Sequence, residues 1–215
     1  ANGKPHYGTI NVALDTSGQG FNMVGNPYPS SINAFDFLEW NIDAIEPTIY
    51  FWRRTNNNNA DTDVGSFYAT FNVDSGGVAT DYGSEEPDGF IQTGQGFLVQ
   101  DNAVDGTNSI AFRNGFRVKD NFNNQFFKFD NSKTARNEEI IRNRVWLNLT
   151  NDNGVFAQTM VCYMDGVTNG LDRGDSKYVN DSEIAFTSKI NDAEYIIQSR
   201  ALPFDDKDIV PMIFK

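Results

Sequence analysis

The sequence predicts an all-β fold, a β-sandwich or jelly-roll-like arrangement with one short helix near residues 33–41. Three observations carry that prediction. Aromatic residues are abundant, with 18 Phe, 8 Tyr and 3 Trp, and such side chains pack well on the pleated, half-buried surface of a strand. Short apolar runs alternate with polar residues at a period of two. Between them, 26 Asn and 18 Gly mark frequent turns.

The elements follow in order. Thr9 to Leu14 places Ile10, Val12 and Leu14 on one face, and the turn-rich stretch Asp15–Gly20 leads to Phe21–Val24. This pattern predicts a β-hairpin. Asn26-Pro27-Tyr28-Pro29-Ser30 stops the second strand, because proline cannot donate to a ladder; Tyr28-Pro29 is a candidate for a cis bond. Asn33-Ala34-Phe35-Asp36 has the form of a helix start, with Phe35, Leu38 and Ile42 at helical spacing. Strands are expected at Thr48–Arg53, Ser66–Asn72, Gln95–Gln100 and Ser109–Val118, with loops at Asn56–Asp63 and Asp74–Asp88. Arg144–Thr150 and Phe156–Met164 flank Asn151-Asp152-Asn153-Gly154, a second hairpin signal. Glu194–Arg200 and Ile209–Phe214 complete the set.

The polar, Asn-rich stretch 119–143 reads as a linker or packed connection, since Phe122, Phe126, Phe127 and Phe129 interrupt it and Ala135–Arg142 has a helical turn's pattern. The expected organisation is therefore a β-sandwich unit at 1–118 and a second β unit at 144–215, cut from a larger protein at Lys215.

Charge and rare residues exclude several function classes. A net charge of −12 opposes nucleic acid and anionic membrane surfaces, both of which need a basic face. No run of 18 apolar residues is present, so no helical membrane insertion is expected. His6 is the one histidine and Cys162 the one cysteine. Nucleophilic triads would have to use His6, a zinc site of His and Cys ligands cannot be assembled, and an intrachain disulfide has no second partner. Only carboxylate chemistry remains. Glu85-Glu86 and Glu138-Glu139 fall in polar stretches, where a solvated face suits them better than the two sides of a glycosidase cleft. No enzyme activity is expected.

Several segments, in a constant order along nearly the whole chain, carry a resemblance. They are Gly20-Phe21-Asn22-Met23-Val24-Gly25-Asn26-Pro27-Tyr28-Pro29-Ser30, Ile49-Tyr50-Phe51-Trp52, Gly94-Gln95-Gly96-Phe97-Leu98-Val99 and Ile110-Ala111-Phe112-Arg113-Asn114. Later come Val145-Trp146-Leu147-Asn148-Leu149-Thr150, the run from Met164 to Asp175, Arg200-Ala201-Leu202-Pro203-Phe204 and Val210-Pro211. Together they resemble a region of large secreted or cell-surface proteins of Bacteroidota exported by the type IX secretion system, where it precedes a C-terminal sorting domain. The resemblance implies an extracellular or outer-surface location, further domains on the same polypeptide, passage through that secretion machinery, and no catalytic residues to transfer.

Two groups of residues are candidate sites. Asp165, Asn169, Asp172, Asp175 and Asp181 form an oxygen-rich set in a Gly-containing loop. Hard oxygen ligands at this spacing fit Ca²⁺; the blander reading is an Asx-rich turn whose carboxylates cap backbone amides. Within the set, Arg173-Gly174-Asp175 spells an integrin-recognised tripeptide, a signal too short to count without context. Trp40, Trp52 and Tyr82, with Tyr50 and Tyr68, offer aromatic faces for stacking a sugar ring, against the alternative that they are core residues. The expected function is a non-catalytic module for adhesion, ligand binding or spacing, with a glycan or cell-surface ligand as partner. The alternative is a carbohydrate-binding module attached to a polysaccharide-degrading enzyme.

Overall fold

A computed structural model describes residues 3–52, 67–80, 86–102, 109–119, 142–152, 155–179, 182 and 184–215. These residues form two sheets, two short ribbons and one helix, a β-sandwich-like, all-β arrangement. In chain order the strands are β1 (Ile10–Ala13), β2 (Phe21–Gly25), β3 (Ile32–Asn33), β4 (Ile45–Trp52), β5 (Tyr68–Asn72), β6 (Gly76–Val78), β7 (Phe90–Ile91), β8 (Gly96–Asp101) and β9 (Ser109–Phe112). The second half adds β10 (Arg142–Thr150), β11 (Phe156–Met164), β12 (Ser176–Lys177), β13 (Phe186–Ile190), β14 (Ala193–Ala201) and β15 (Met212–Phe214). Helix α1 spans Ala34–Trp40. Residues 120–141, most of the expected connection, lie outside the described residues, and Arg142 and Asn143 are already strand.

The first sheet is antiparallel with order β2-β8-β4-β5-β6. One face carries Val24, Phe97, Val99, Ile49, Phe51, Ala69 and Phe71, which join α1 in a single buried cluster. Phe37 is its centre: its ring stacks on Phe112 at 5.0 Å and meets Phe97 edge-on at 5.5 Å. Edge-on and offset rings place the positive rim of one against the negative face of another. The opposite face packs on the second sheet, whose order is β10-β11-β14-β13-β15 with β12 also on β14. β11 and β14 run parallel and the other pairs antiparallel. Covered on both sides, β4 and β11 are buried almost throughout, which is why neither shows clean alternation.

The seam between the sheets is polar as well as apolar. Val78 of β6 enters a cluster with Met160, Cys162, Met164, Ile196 and Ile197. Around it, Asn72 Nδ2 donates to the Arg173 carbonyl at 2.9 Å, Ser75 Oγ to the Gly174 carbonyl at 2.6 Å, and Tyr50 OH to the Lys177 carbonyl at 3.1 Å. From β10, Arg144 Nε donates to the Ser75 carbonyl at 2.6 Å and Trp146 Nε1 to the Gly77 carbonyl at 3.1 Å. Gly174 sits where a Cβ would lie 2.8 Å from Ser199 Cβ and 2.9 Å from Ser75 Oγ. That approach admits no side chain, and it explains the glycine inside the Asp172–Asp175 run.

The structure corrects several expectations. The first hairpin does not form: β1 pairs with β9, Ile10 opposite Phe112, and β2 pairs with β8. Alternation fixes which face a strand buries and is silent about its neighbour. The intervening loop is closed instead by side chains, with Asn22 Oδ1 accepting from the Asp15 amide at 2.7 Å. The second hairpin forms in full, from Arg142 opposite Met164 to Thr150 opposite Phe156. The cis bond among the described residues is Leu202-Pro203, not Tyr28-Pro29. Helix α1 starts at the expected Asn33 cap, whose side chain accepts from the Phe35 and Asp36 amides, but its inward face is Ala34, Phe37 and Leu38. Expected strands at Ser109–Val118 and Ile209–Phe214 shorten, the first ending in a 3-10 turn at Asn114–Phe116 and the second beginning after Pro211.

Candidate functional site: a cleft at Trp40

Helix α1 presents two faces. Ala34, Phe37 and Leu38 point into the core, so Asp36, Glu39 and Trp40, three and four residues apart, share the outer face. Asn41, itself buried, then fixes what stands opposite. Its Nδ2 donates to the Phe37 carbonyl at 2.8 Å and the Ala111 carbonyl at 3.1 Å, while its Oδ1 accepts from the Ala111 amide at 2.8 Å. This clamp holds β9 against the end of α1. Because Ile110 and Phe112 face inward, the next alternate residue, Arg113, emerges beside Trp40. Its guanidinium carbon lies 3.7 Å from the Trp40 ring centroid, within cation–π range.

The result is an open cleft of about 630 Å³ lined by Gly8, Thr9, Asp36, Glu39, Trp40, Arg113, Asn114, Gly115 and Phe116. Its volume falls in the range of small-molecule sites, roughly 300–1,000 Å³. The Gly8 rim is pinned from two sides: its amide donates to Asn114 Oδ1 at 3.0 Å, and its carbonyl accepts from Tyr28 OH at 2.6 Å. Tyr28 belongs to the Asn26–Ser30 turn, which Asn26 anchors, the two hydrogens of its Nδ2 shared among the carbonyls of Ser30, Ile91 and Gln92. On the other side Glu39 pairs with Arg173 at 2.7 Å, and Arg173 also meets Asp74 at 2.5 Å. The cleft wall is thereby tied to the second sheet. Trp40 remains 56% exposed.

Replacing Asn41 with alanine is expected to remove three buried or partly buried hydrogen bonds and cost about 2–4 kcal/mol. Urea unfolding would show it as a lower midpoint with an unchanged slope, whereas an unchanged midpoint would contradict the clamp.

The structure brings one of the three expected aromatic residues to the cleft. Trp52 lies at the end of β4, 54% exposed, stacked on Phe67 at 5.5 Å and edge-on to Tyr68 at 5.3 Å. Tyr82 lies outside the described residues. Tyr50 is buried at the seam between the sheets. The residues that sequence reasoning missed are Asp36, Glu39, Arg113 and Asn114. The first two were readable from the helical spacing once its apolar phase is corrected; Arg113 was not, because the Asn41–Ala111 clamp that brings it to Trp40 joins residues 70 apart in the chain.

The oxygen-rich loop is occupied largely by its own backbone. Asp172 Oδ2 accepts from the Thr168 amide at 2.6 Å and from Thr168 Oγ1 at 2.7 Å. Asp175 Oδ2 accepts from the Asp172 amide at 2.6 Å, and its Oδ1 accepts from the Ser199 amide at 2.6 Å and from Ser199 Oγ at 3.0 Å. Asn169 Oδ1 accepts from the Ala201 amide at 3.0 Å. Asp165 is exposed, and Asp181 lies outside the described residues. Among the described residues, no three His, Cys, Asp or Glu side chains are grouped to hold a metal. Burial pushes the Asp175 carboxyl above its ordinary range, against the three hydrogen bonds that favour its anion. Within the Arg-Gly-Asp tripeptide, Gly174 and Asp175 are buried in the seam, while Arg173 stays partly exposed and pairs with Glu39 and Asp74. A loop closed by its own amides is expected to melt at the same temperature with or without EDTA. A fall in melting temperature on chelation, restored by added Ca²⁺, would show an ion there.

Cys162 is buried, and burial raises its thiol above the ordinary range, the opposite of what an attacking thiolate needs. No helix among the described residues is long and apolar enough to cross a membrane. No curated protein and no solved structure matches the chain. A family profile does match, over residues 2–215, and the chain belongs to that family, described as a domain of unknown function (DUF8693).

Proposed function

We propose that the chain is a non-catalytic ligand-binding module of an exported protein, and that the cleft at Trp40 is its binding site. The cleft carries this reading: a large aromatic ring stands open to solvent in a concave site, positioned by a buried clamp rather than by a loose loop. Rigid elements around an exposed aromatic anchor keep the entropic cost of binding low. Absence of catalysis is supported by the residue types, since His6 is exposed near the start of the chain and Cys162 is buried. Export, an extracellular or outer-surface location, type IX machinery and neighbouring domains on the same polypeptide rest on the ordered segments that resemble such proteins. Two of those segments meet the cleft: Arg113 and Asn114 line it, and Tyr28 OH donates to the Gly8 carbonyl at its rim.

The test follows the Trp40 indole N–H by NMR, identified by its loss in Trp40→Phe. Neutral oligosaccharides, inorganic phosphate and choline are titrated in turn. A saturable shift of that resonance with at least one probe, and none at the Trp52 indole, is the expected result. Silence of Trp40 towards every class would remove the cleft as a binding site.

A further inference from the structure

We infer that the Trp40 cleft takes a neutral saccharide, one pyranose ring lying against the open side of the indole; this rests on the reading of the cleft as a binding site. The inference comes from the charges around the ring. Arg113 already covers one side of Trp40, its guanidinium carbon 3.7 Å from the ring centroid. A cationic ligand brought to the same indole meets a like charge and a ring whose quadrupole is already engaged. An anionic ligand meets Asp36 on the helix face and a chain of net charge −12. Glu39 is balanced by Arg173 at 2.7 Å, which leaves Asp36 and Arg113 as wall groups of opposite sign. The local sum near zero favours a ligand without net charge.

The same groups match a polyol. A pyranose has an apolar C–H face that suits the flat indole, and hydroxyls around its edge that both donate and accept. Asp36 supplies an acceptor, Arg113 and the Asn114 side-chain amide supply donors, and the Thr9 hydroxyl supplies both. Gly115 lines the cleft with open space where a side chain would stand, so a ring substituent has room there. An open cleft of about 630 Å³ has room for a unit within a longer chain as well as for a chain end.

Isothermal titration calorimetry with cellohexaose, xylohexaose, mannohexaose and chitohexaose, alongside polygalacturonate, inorganic phosphate and choline, tests this. At least one neutral hexasaccharide is expected to bind. Trp40→Ala should then weaken binding about tenfold or more, as truncation of an aromatic anchor does, and Trp40→Phe should retain part of the affinity. Asp36→Asn should weaken binding as well. Circular dichroism melts confirm that each variant folds. If phosphate, polygalacturonate or choline binds in a Trp40-dependent way and the neutral sugars do not, the saccharide inference is overturned while the binding-site reading stands. If a neutral sugar binds with equal affinity to wild type and Trp40→Ala, the inference is overturned at this site. If nothing binds, both readings fall.

Discussion

Replacing Phe37 with alanine is expected to destabilise the protein by about 3–5 kcal/mol, the cost of losing a buried aromatic ring and leaving a cavity. Phe37 is fully buried, and its ring contacts Phe97, Phe112 and Phe116. These partners come from β8, β9 and the 3-10 turn, so they cannot close in together on the space it vacates. Against a total stability of about 5–15 kcal/mol for an ordinary domain, the loss should be visible in the urea midpoint. Phe37→Leu keeps most of the volume and should cost less. Equal effects of the two substitutions would show that the ring is not the keystone of this core.

The second large effect belongs to Asp208. Its carboxylate accepts from Arg200 Nε at 2.9 Å, pairs with a second guanidinium nitrogen, and accepts from Tyr163 OH at 3.0 Å. Both charged side chains are 8% exposed. Among the described residues, Asp208→Ala would leave a buried guanidinium with only the Asn169 carbonyl, and removal of one partner of a buried ion pair costs about 3–5 kcal/mol. The pair also fixes a pH dependence. Hydrogen bonding from Arg200 holds the Asp208 carboxyl below its ordinary range. A lowered folded-state value means that the stabilisation is present above the unfolded value of about 3.9 and is lost as pH falls through the folded one. Wild type and Asp208→Asn should therefore converge in stability below about pH 4. Asp175 acts in the opposite sense: its raised carboxyl contributes stability present below the unfolded value and lost as pH rises through the folded one. Parallel pH profiles for wild type and Asp208→Asn would contradict the Arg200–Asp208 assignment.

Particular residues show how far the sequence could be read. β10 and β11 were legible because the runs Arg144–Thr150 and Phe156–Met164 flank a turn signal, and the two strands pair as the hairpin it announces. Asn33 announced the helix because its short side chain reaches the Phe35 and Asp36 amides. By contrast β6 (Gly76–Val78) and β12 (Ser176–Lys177) carry no strand signature; they are strands because a neighbour supplies a ladder, a tertiary effect that outweighs local propensity. The β1–β9 pairing is likewise invisible to periodicity. Trp40 was legible as a candidate aromatic with the core as the alternative, but its exposure and its setting were not. Asn41 reads as a polar residue ending a helix, and only the folded chain shows it gripping Ala111 and so delivering Arg113.

The central claim, that ligand is held at the Trp40 cleft, is tested most directly by amide and indole chemical-shift mapping with a bound neutral hexasaccharide. The account predicts saturable shifts concentrated at Thr9, Asp36, Glu39, Trp40, Arg113 and Asn114. Shifts centred on Trp52, or on the Asp165–Asp175 loop with the cleft silent, would contradict it.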